Sequence, residues 1–351
     1  MTKILADMHH GDLYESLRIL FEDRLGWELY RPIGTEWYYD GYWKVYDHPN
    51  TADQYLGISS LVPLSVNNIP VTQEHGNSAW INRIQLENRN GIYIIRDCNH
   101  GGRNHKAITL AAAKDFGFDI VLSSMPVHFS LYENFRQQFC PNAKHIFQVG
   151  NVNWNVPPGA KNLLNSTTLD PGGVHSVRYH QEFSLTEFSF KPCPNPRSLT
   201  NLMHIQAGHY AREFYDLKKL LRGWVVKDYG ATNVDGPVDN ISEVIQNSGF
   251  IWHCKRGGDG YGYNVHNAFA CGRPMVTACS QYLGLMAEPL FMPGVTVIDL
   301  EKHGVAGVAT KLKEAADDYD NWSRRTYAQF CAVVDFDKEF EQIKHFLGNL
   351  Q

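Results

Sequence analysis

Residues 250–275 read FIWHCKRGGDGYGYNVHNAFACGRPM, and the fold turns on them. The opening five residues form an apolar run of the length of a buried parallel strand. Glycines then punctuate a tight loop, a helical pattern begins near Tyr263, and Gly272-Arg273-Pro274 stops it. A second apolar run, Met275 to Ala278, follows at once. Strand, glycine loop, helix and strand in that order make the repeating unit of a parallel sheet. A glycine loop that feeds a helix N-terminus offers unpaired backbone N–H groups and the positive end of the helix dipole, which suits a phosphate. Glycine also lets the backbone come close to a ligand, because no Cβ intervenes.

The same alternation extends on both sides. Toward the N-terminus, a strand is expected at Lys3 to Met8 and an amphipathic helix over 12–24, where Leu13, Leu17, Leu20 and Phe21 share a face. A strand over Trp27 to Tyr30 follows, then a buried strand over 91–97 and an alanine-rich helix over 104–116. Strand Phe118 to Ser123, helix 127–138 and strand His145 to Val149 complete a Rossmann-like half. Proline and glycine clusters at 156–159, 171–173 and 192–196 mark a connecting region. Strands at 199–206 and 224–228, helices at 210–222 and 241–248, the opening stretch, a strand at 295–300 and a helix at 304–317 make a second half. Helical patterns at 320–332 and 337–349 end the chain, and Phe336, Phe340, Ile343, Leu347 and Leu350 line one face of the last.

The donor stretch resembles the motif of GT-B glycosyltransferases, closest to the large retaining family with Glu-Gly-Phe-Gly, four variable residues and Glu-Ala-x-Ala-x-Gly-x-Pro. Asp259 stands at the first Glu, Tyr261 at the Phe and Asn267 at the second Glu; Ala268, Ala270, Cys271, Gly272 and Pro274 match. The likeness is specific in this segment and rests on element order elsewhere. It implies an α/β protein of two Rossmann-like domains. Residues 1–175 would form the acceptor-side domain, 176–332 the nucleotide-sugar domain, and 333–351 a helix crossing back to the first. It further implies that Asp259 touches the donor sugar and Asn267 occupies the ribose position. The loop and helix start at Gly260, Tyr261, Gly262, Tyr263, Asn264 and Val265 would hold the diphosphate. His209 and Arg212 fall where the family carries cations for the diphosphate, and Gly11 falls in a loop that approaches the donor.

Other candidates come from the residues themselves. Lys255 and Arg256 leave the strand just before the glycine loop, where a departing diphosphate needs positive charge. Asp97 and His100 follow the buried strand 91–97, and ligands gather outside the carboxyl ends of parallel strands; a carboxylate and an imidazole there would position or deprotonate an acceptor hydroxyl. His105 and His128 are further imidazoles of the first half. Asp12 reads as an N-cap. Six aromatics within 37–46 read as a hydrophobic cluster under a long loop or a sugar-stacking surface. Asp335-Phe336-Asp337 has the spacing of a metal-binding Asp-x-Asp but falls in the tail helix, and His9-His10 lacks a third ligand. No metal and no cofactor beyond a UDP- or GDP-sugar donor is therefore expected.

Composition bounds the alternatives. The chain has 351 residues, 43% hydrophobic and 20% charged, enough for about two domains. Its formal charge of −5, without a basic run, argues against strong nonspecific binding to nucleic acid. Seven scattered cysteines without paired short spacing argue against a disulfide framework or a zinc ribbon and for reduced thiols in the cytoplasm. The start MTKILADMHH has no signal-peptide pattern, and no stretch is apolar for the length of a membrane span. The expected reaction is glycosyl transfer from a nucleotide-diphosphate sugar, retaining and metal-independent, to a carbohydrate or a modified DNA base; oligomeric state is open. A sugar-nucleotide epimerase would need several cleft carboxylates; a nucleotide-binding module without catalysis would account for Asn267 in place of the Glu, and loss of turnover with intact nucleotide binding in Asp259→Ala would exclude it.

Overall fold

The computed structural model describes residues 1–7, 11–32, 37, 84–97, 103–150, 155–203, 208–230, 233–238 and 240–351. The first half runs β1 (Lys3–Ala6), α1 (Gly11–Arg18) continued by a wider π-turn (Ile19–Arg24), β2 (Glu28–Pro32), β3 (Ile84–Arg89), β4 (Ile92–Asp97) and β5 (Arg103–Ile108). It continues with α2 (Leu110–Lys114), β6 (Ile120–Ser123), α3 (Pro126–Phe139), β7 (Lys144–Val149), β8 (Asn162–Asn165) and β9 (His175–Arg178). The second half holds β10 (Ser198–Asn201), α4 (Ala211–Leu220), β11 (Val225–Asp228), α5 (Ile241–Asn247), β12 (Phe250–Trp252), α6 (Tyr263–Ala270), β13 (Met275–Thr277) and β14 (Val297–Asp299). Three helices close the chain: α7 (Leu300–Asp317), α8 (Tyr319–Val333) and α9 (Phe336–Gly348).

The strands form two sheets. The first has the order β3-β4-β5-β2-β1-β6-β7-β8-β9, parallel from β5 to β9, and the second is β11-β10-β12-β13-β14, parallel throughout. Strands covered on both faces carry apolar runs, as in the IVL of β6 and FIW of β12, and both strands are buried at every position. Register aligns Ile4 with Leu29 and Ile120 in the first sheet, and Ile251 with Thr200 and Met275 in the second. The two-domain, Rossmann-like expectation is met. β9 carries the first sheet through Arg178, and the second sheet opens at Ser198.

Three local readings change. The alanine-rich segment 104–116 is not one helix: β5 takes 103–108, and only 110–114 is helical, capped by the Thr109 side chain accepting from the Ala112 amide. Pairing on two edges outweighs helix propensity there, with β2 on one side and β4 on the other, and Lys106 meets Glu28 at 3.0 Å. The irregular-looking stretch after 151 supplies β8 and β9, each four residues long. β3, unforeseen, pairs with β4 in a hairpin turned by Asn90 and Gly91 at φ 56° and 83°.

The tail helix crosses back. Phe336 packs in the second domain's cluster with Phe183, Phe269 and Phe330, whereas Ile343, Phe346 and Leu347 join Ile4, Leu17, Phe21, Ile146 and Leu164 of the first domain. Asp335 is its N-cap, accepting from the Lys338 amide at 3.0 Å. Arg24 binds Asp337 at 2.9 Å and Glu182 at 2.7 Å, and the Gln351 amide donates to Asn162 at 2.9 Å.

Candidate functional site

The loops after β10, β12, β13 and β14 converge at the carboxyl edge of the second sheet. After β12 the chain keeps its ladder for one more bond, His253 N–H to the Val276 carbonyl, and the Thr277 hydroxyl caps the His253 carbonyl at 2.8 Å. It then turns through Gly257 and Gly258, both at positive φ. A Cβ on Gly258 would lie 2.5 Å from the Gln281 carbonyl, so only glycine lets this loop rest on the one after β13. The Gly257 amide donates to the Gln281 side chain at 2.9 Å, and the Arg256 amide donates to His209 Nδ1 at 3.2 Å. Arg256 also donates from Nε to the Gly208 carbonyl at 3.0 Å and lays its guanidinium 4.4 Å over the Tyr210 ring. Gly262, at φ 82°, is the N-cap of α6.

Asp259 is the acid at the centre. Its side chain is 13% exposed; Oδ2 accepts from His253 Nε2 at 2.5 Å and from the Tyr282 hydroxyl at 3.4 Å, and Oδ1 accepts from Lys255 Nζ. Burial pushes the Asp259 carboxyl up, but the charges and hydrogen bonds of His253 and Lys255 outweigh it and hold the group well below the usual range. Glu301, at the start of α7, accepts from the Tyr210 hydroxyl at 2.9 Å, the Gln281 side chain at 3.2 Å and the Ser280 amide at 3.3 Å. These bonds exceed the opposing effect of burial and lower its carboxyl, while burial and Glu301 push the Tyr210 hydroxyl up to about 12.

The predicted residues fall into distinct places. Lys255, Arg256, Asp259 and His209 cluster as described. Tyr261 is buried; its hydroxyl donates to the Gln181 carbonyl at 3.0 Å, and its ring stacks on His266 at 4.2 Å. Tyr263 opens α6, Asn264 donates to the Leu202 carbonyl at 3.4 Å, and Val265 points into the core. Asn267 is buried with its Oδ1 lacking a partner among the described residues. Gly260 sits within the loop. Arg212 stands apart: it is 91% exposed on α4 and turns to Asp216 at 3.7 Å. Gly11 opens α1 at the carboxyl edge of the first sheet.

Asp97 ends β4, which runs antiparallel to β5, so Asp97 pairs with Arg103 at the start of that strand. That strand end therefore lies at the amino edge of the parallel strands, and not at the carboxyl edge that the reading of a parallel strand had expected. His100 lies outside the described residues, as do 38–46 of the aromatic segment. Trp37 of that segment is buried and donates from Nε1 to the Ile108 carbonyl at 3.0 Å, as the hydrophobic-cluster reading expects.

Sequence reasoning missed several neighbours. His253 and Tyr282 hold the acid, Glu301 holds Tyr210 and Gln281, and His253 was discoverable as the polar residue that ends an apolar strand. In the first domain, Asp7 follows β1 and binds His128 Nδ1 at 2.6 Å, while the Ser124 hydroxyl donates to the Asp7 carbonyl at 2.8 Å. The Asp7 and His128 side chains are both fully buried at the carboxyl end of β1. A Ser123–His145–Glu133 chain, with 2.9 and 2.8 Å bonds, has the order of a hydrolytic triad, but the Ser123 hydroxyl is sealed in the core and braces α3 against the sheet. Among the described residues no group of three His, Cys, Asp or Glu is arranged to hold a metal ion.

No family profile matches the sequence, and no curated protein matches it. Solved structures do match, several of them over nearly their whole length. HepE of Anabaena in complex with UDP-glucose superposes with a TM-score of 0.61 at 10% identity, covering 100% of both chains. A glycosyltransferase from Rickettsia africae gives 0.56 at 10% identity over 99% of each chain. Sucrose-phosphate synthase from Thermosynechococcus elongatus gives 0.55 at 10% identity over 99% of this chain and 98% of its own. The chain thus has the GT-B architecture, with two Rossmann-like domains and a C-terminal helix that returns to the first.

Proposed function

We propose that this chain is a glycosyltransferase that moves a hexosyl group from a nucleotide-diphosphate sugar, UDP- or GDP-linked, to a hydroxyl-bearing acceptor. The observation that carries the reading is the convergence of Lys255, Arg256 and Asp259 on a glycine loop that runs into the N-terminus of α6. Negative charge develops on the departing diphosphate as the sugar–oxygen bond breaks. Two cations and a helix N-terminus are suited to meet it. Asp259, held ionised, accepts hydrogen bonds from sugar hydroxyls; Asn267, with an unpartnered buried oxygen, takes a ribose hydroxyl. The new bond joins the anomeric carbon to the acceptor oxygen, and the acceptor proton passes to the departing phosphate. The UDP-glucose complex of HepE, a chain of like fold, supports a UDP-sugar donor. The acceptor enters from the first domain, whose carboxyl edge carries Gly11 and the Asp7–His128 pair. We further propose retention at the anomeric carbon and no essential metal.

Purified protein incubated with UDP-, GDP-, ADP-, CDP- and dTDP-sugars, with and without EDTA, tests this. A melting-temperature rise with one donor, accompanied by slow nucleotide release that EDTA leaves intact, is the expected result. No shift and no release with any donor would refute it. Six described cysteines are unpaired, and no described helix is long and apolar enough to cross a membrane.

A further inference from the structure

Both oxygens of Asp259 are already engaged, and Lys255 covers the one less filled. His253 and Tyr282 hold Oδ2, and Lys255 holds Oδ1. The first two holders are fixed: His253 is 4% exposed with its backbone tied to Val276 and Thr277, and Tyr282 is fully buried in the core around Phe269 and Leu290. Lys255 differs, being 38% exposed on a flexible four-carbon stem. It stands next to Arg256, on the loop where a diphosphate would lie.

We propose that Lys255 serves two anions in turn. In the free protein it neutralises Asp259; when a nucleoside diphosphate arrives it transfers to the phosphates, and the Asp259 carboxylate becomes available to the donor sugar. The inference rests on the donor-site reading above. A partly exposed ion pair is weak, whereas a diphosphate carries at least two charges, so the exchange runs toward phosphate. Diphosphate capture then arms the sugar contact, and a sugar without its diphosphate meets an acid already occupied. The exchange makes Asp259 a competitor of the diphosphate.

Titration calorimetry with UDP and UDP-glucose, and with GDP and GDP-mannose, tests this on wild type, D259N, K255M and the double variant. With the nucleotide that binds, D259N tightens the bare diphosphate about threefold or more. The same change in the K255M background alters it less than twofold, since no lysine is left to release. D259N also cuts the preference for the sugar nucleotide over the bare diphosphate by about tenfold. K255M alone weakens the bare diphosphate and leaves that preference unchanged, a result that stands even where D259N fails to fold. An equal gain from D259N in both backgrounds, or a K255M protein with unchanged diphosphate affinity and an altered preference, would overturn the exchange while leaving the donor site intact. Absence of binding by wild type to either nucleotide would remove the donor-site reading and the exchange with it.

Discussion

Replacing His266 by Phe should flatten the acid limb of this protein's stability. His266 lies on α6 within the donor motif, stacked on Tyr261 at 4.2 Å, and its Nδ1–H donates to the Gly262 carbonyl at 2.9 Å. Its Nε2 is buried and unpartnered among the described residues. Burial first, and the neighbouring His180 second, lower its pKa from 6.5 to about 3, against smaller opposing effects from Gly262 and Asp259. The folded protein therefore keeps His266 neutral at a pH where the unfolded chain protonates it. The unfolded state binds the extra proton, so stability rises with pH through this window. The contribution is complete above pH 6.5 and is lost as pH falls from there toward 3. Each unit of that interval is worth about 1.4 kcal/mol, so moving from pH 7.5 to 5 costs about 2 kcal/mol through this residue alone. Phe keeps the stack but cannot titrate. Urea denaturation at both pH values should show wild type losing about 2 kcal/mol more than H266F. Equal losses, or a ring that titrates near its ordinary value by NMR, would refute the argument that burial governs this imidazole.

Three further outcomes follow from the packing. Arg273 is fully buried and donates to the carbonyls of Lys191, Ile245 and Gln246 at 2.8, 3.3 and 2.7 Å, so R273A should lower unfolding free energy by about 3 kcal/mol in denaturant titration, because those carbonyls lose their donor. Gly258→Ala places a methyl 2.5 Å from the Gln281 carbonyl at φ +67°, and should cost about 2 kcal/mol and weaken donor binding in calorimetry. Phe346→Ala empties a site in the first domain's core that α9 fills from the end of the chain. About 3–5 kcal/mol should be lost by urea denaturation, with faster proteolysis of the tail.

How far the sequence disclosed this depended on the length of each signal. Parallel strands with unbroken apolar runs and helices with several turns, such as α3, α7, α8 and α9, were legible because burial on one or both faces writes a period into the residues. β8 and β9 were not, since NLLN has polar ends that are buried by pairing and HSVR carries a single apolar residue. β5 carries RNHKAI, whose strand character comes from neighbours on both edges rather than from its own preference. The hairpin β3–β4 had a local signal in Asn90-Gly91, and overlooking it led to β4 being read as parallel and Asp97 being put on the cleft side.

The site shows the same division. Glycines and charges contiguous with the motif, Lys255 to Gly262, were readable because one loop carries them all. The partners that orient them come from other loops: His209 and Tyr210 after β10, Gln281 and Tyr282 after β13, and Glu301 after β14. Their sequence separation hides them until strand order is known. Arg212, offered by the family likeness as a cation for the diphosphate, lies on the exposed face of α4 beside Asp216.

The most direct measurement is a crystal structure of the protein grown with the sugar nucleotide that raises its melting temperature most. The account predicts the diphosphate between Arg256, Lys255 and the first amides of α6, with the sugar on Asp259 and the ribose beside Asn267. A nucleotide bound elsewhere, or one whose diphosphate leaves Lys255 on Asp259 and Arg256 on Tyr210 untouched, would contradict it.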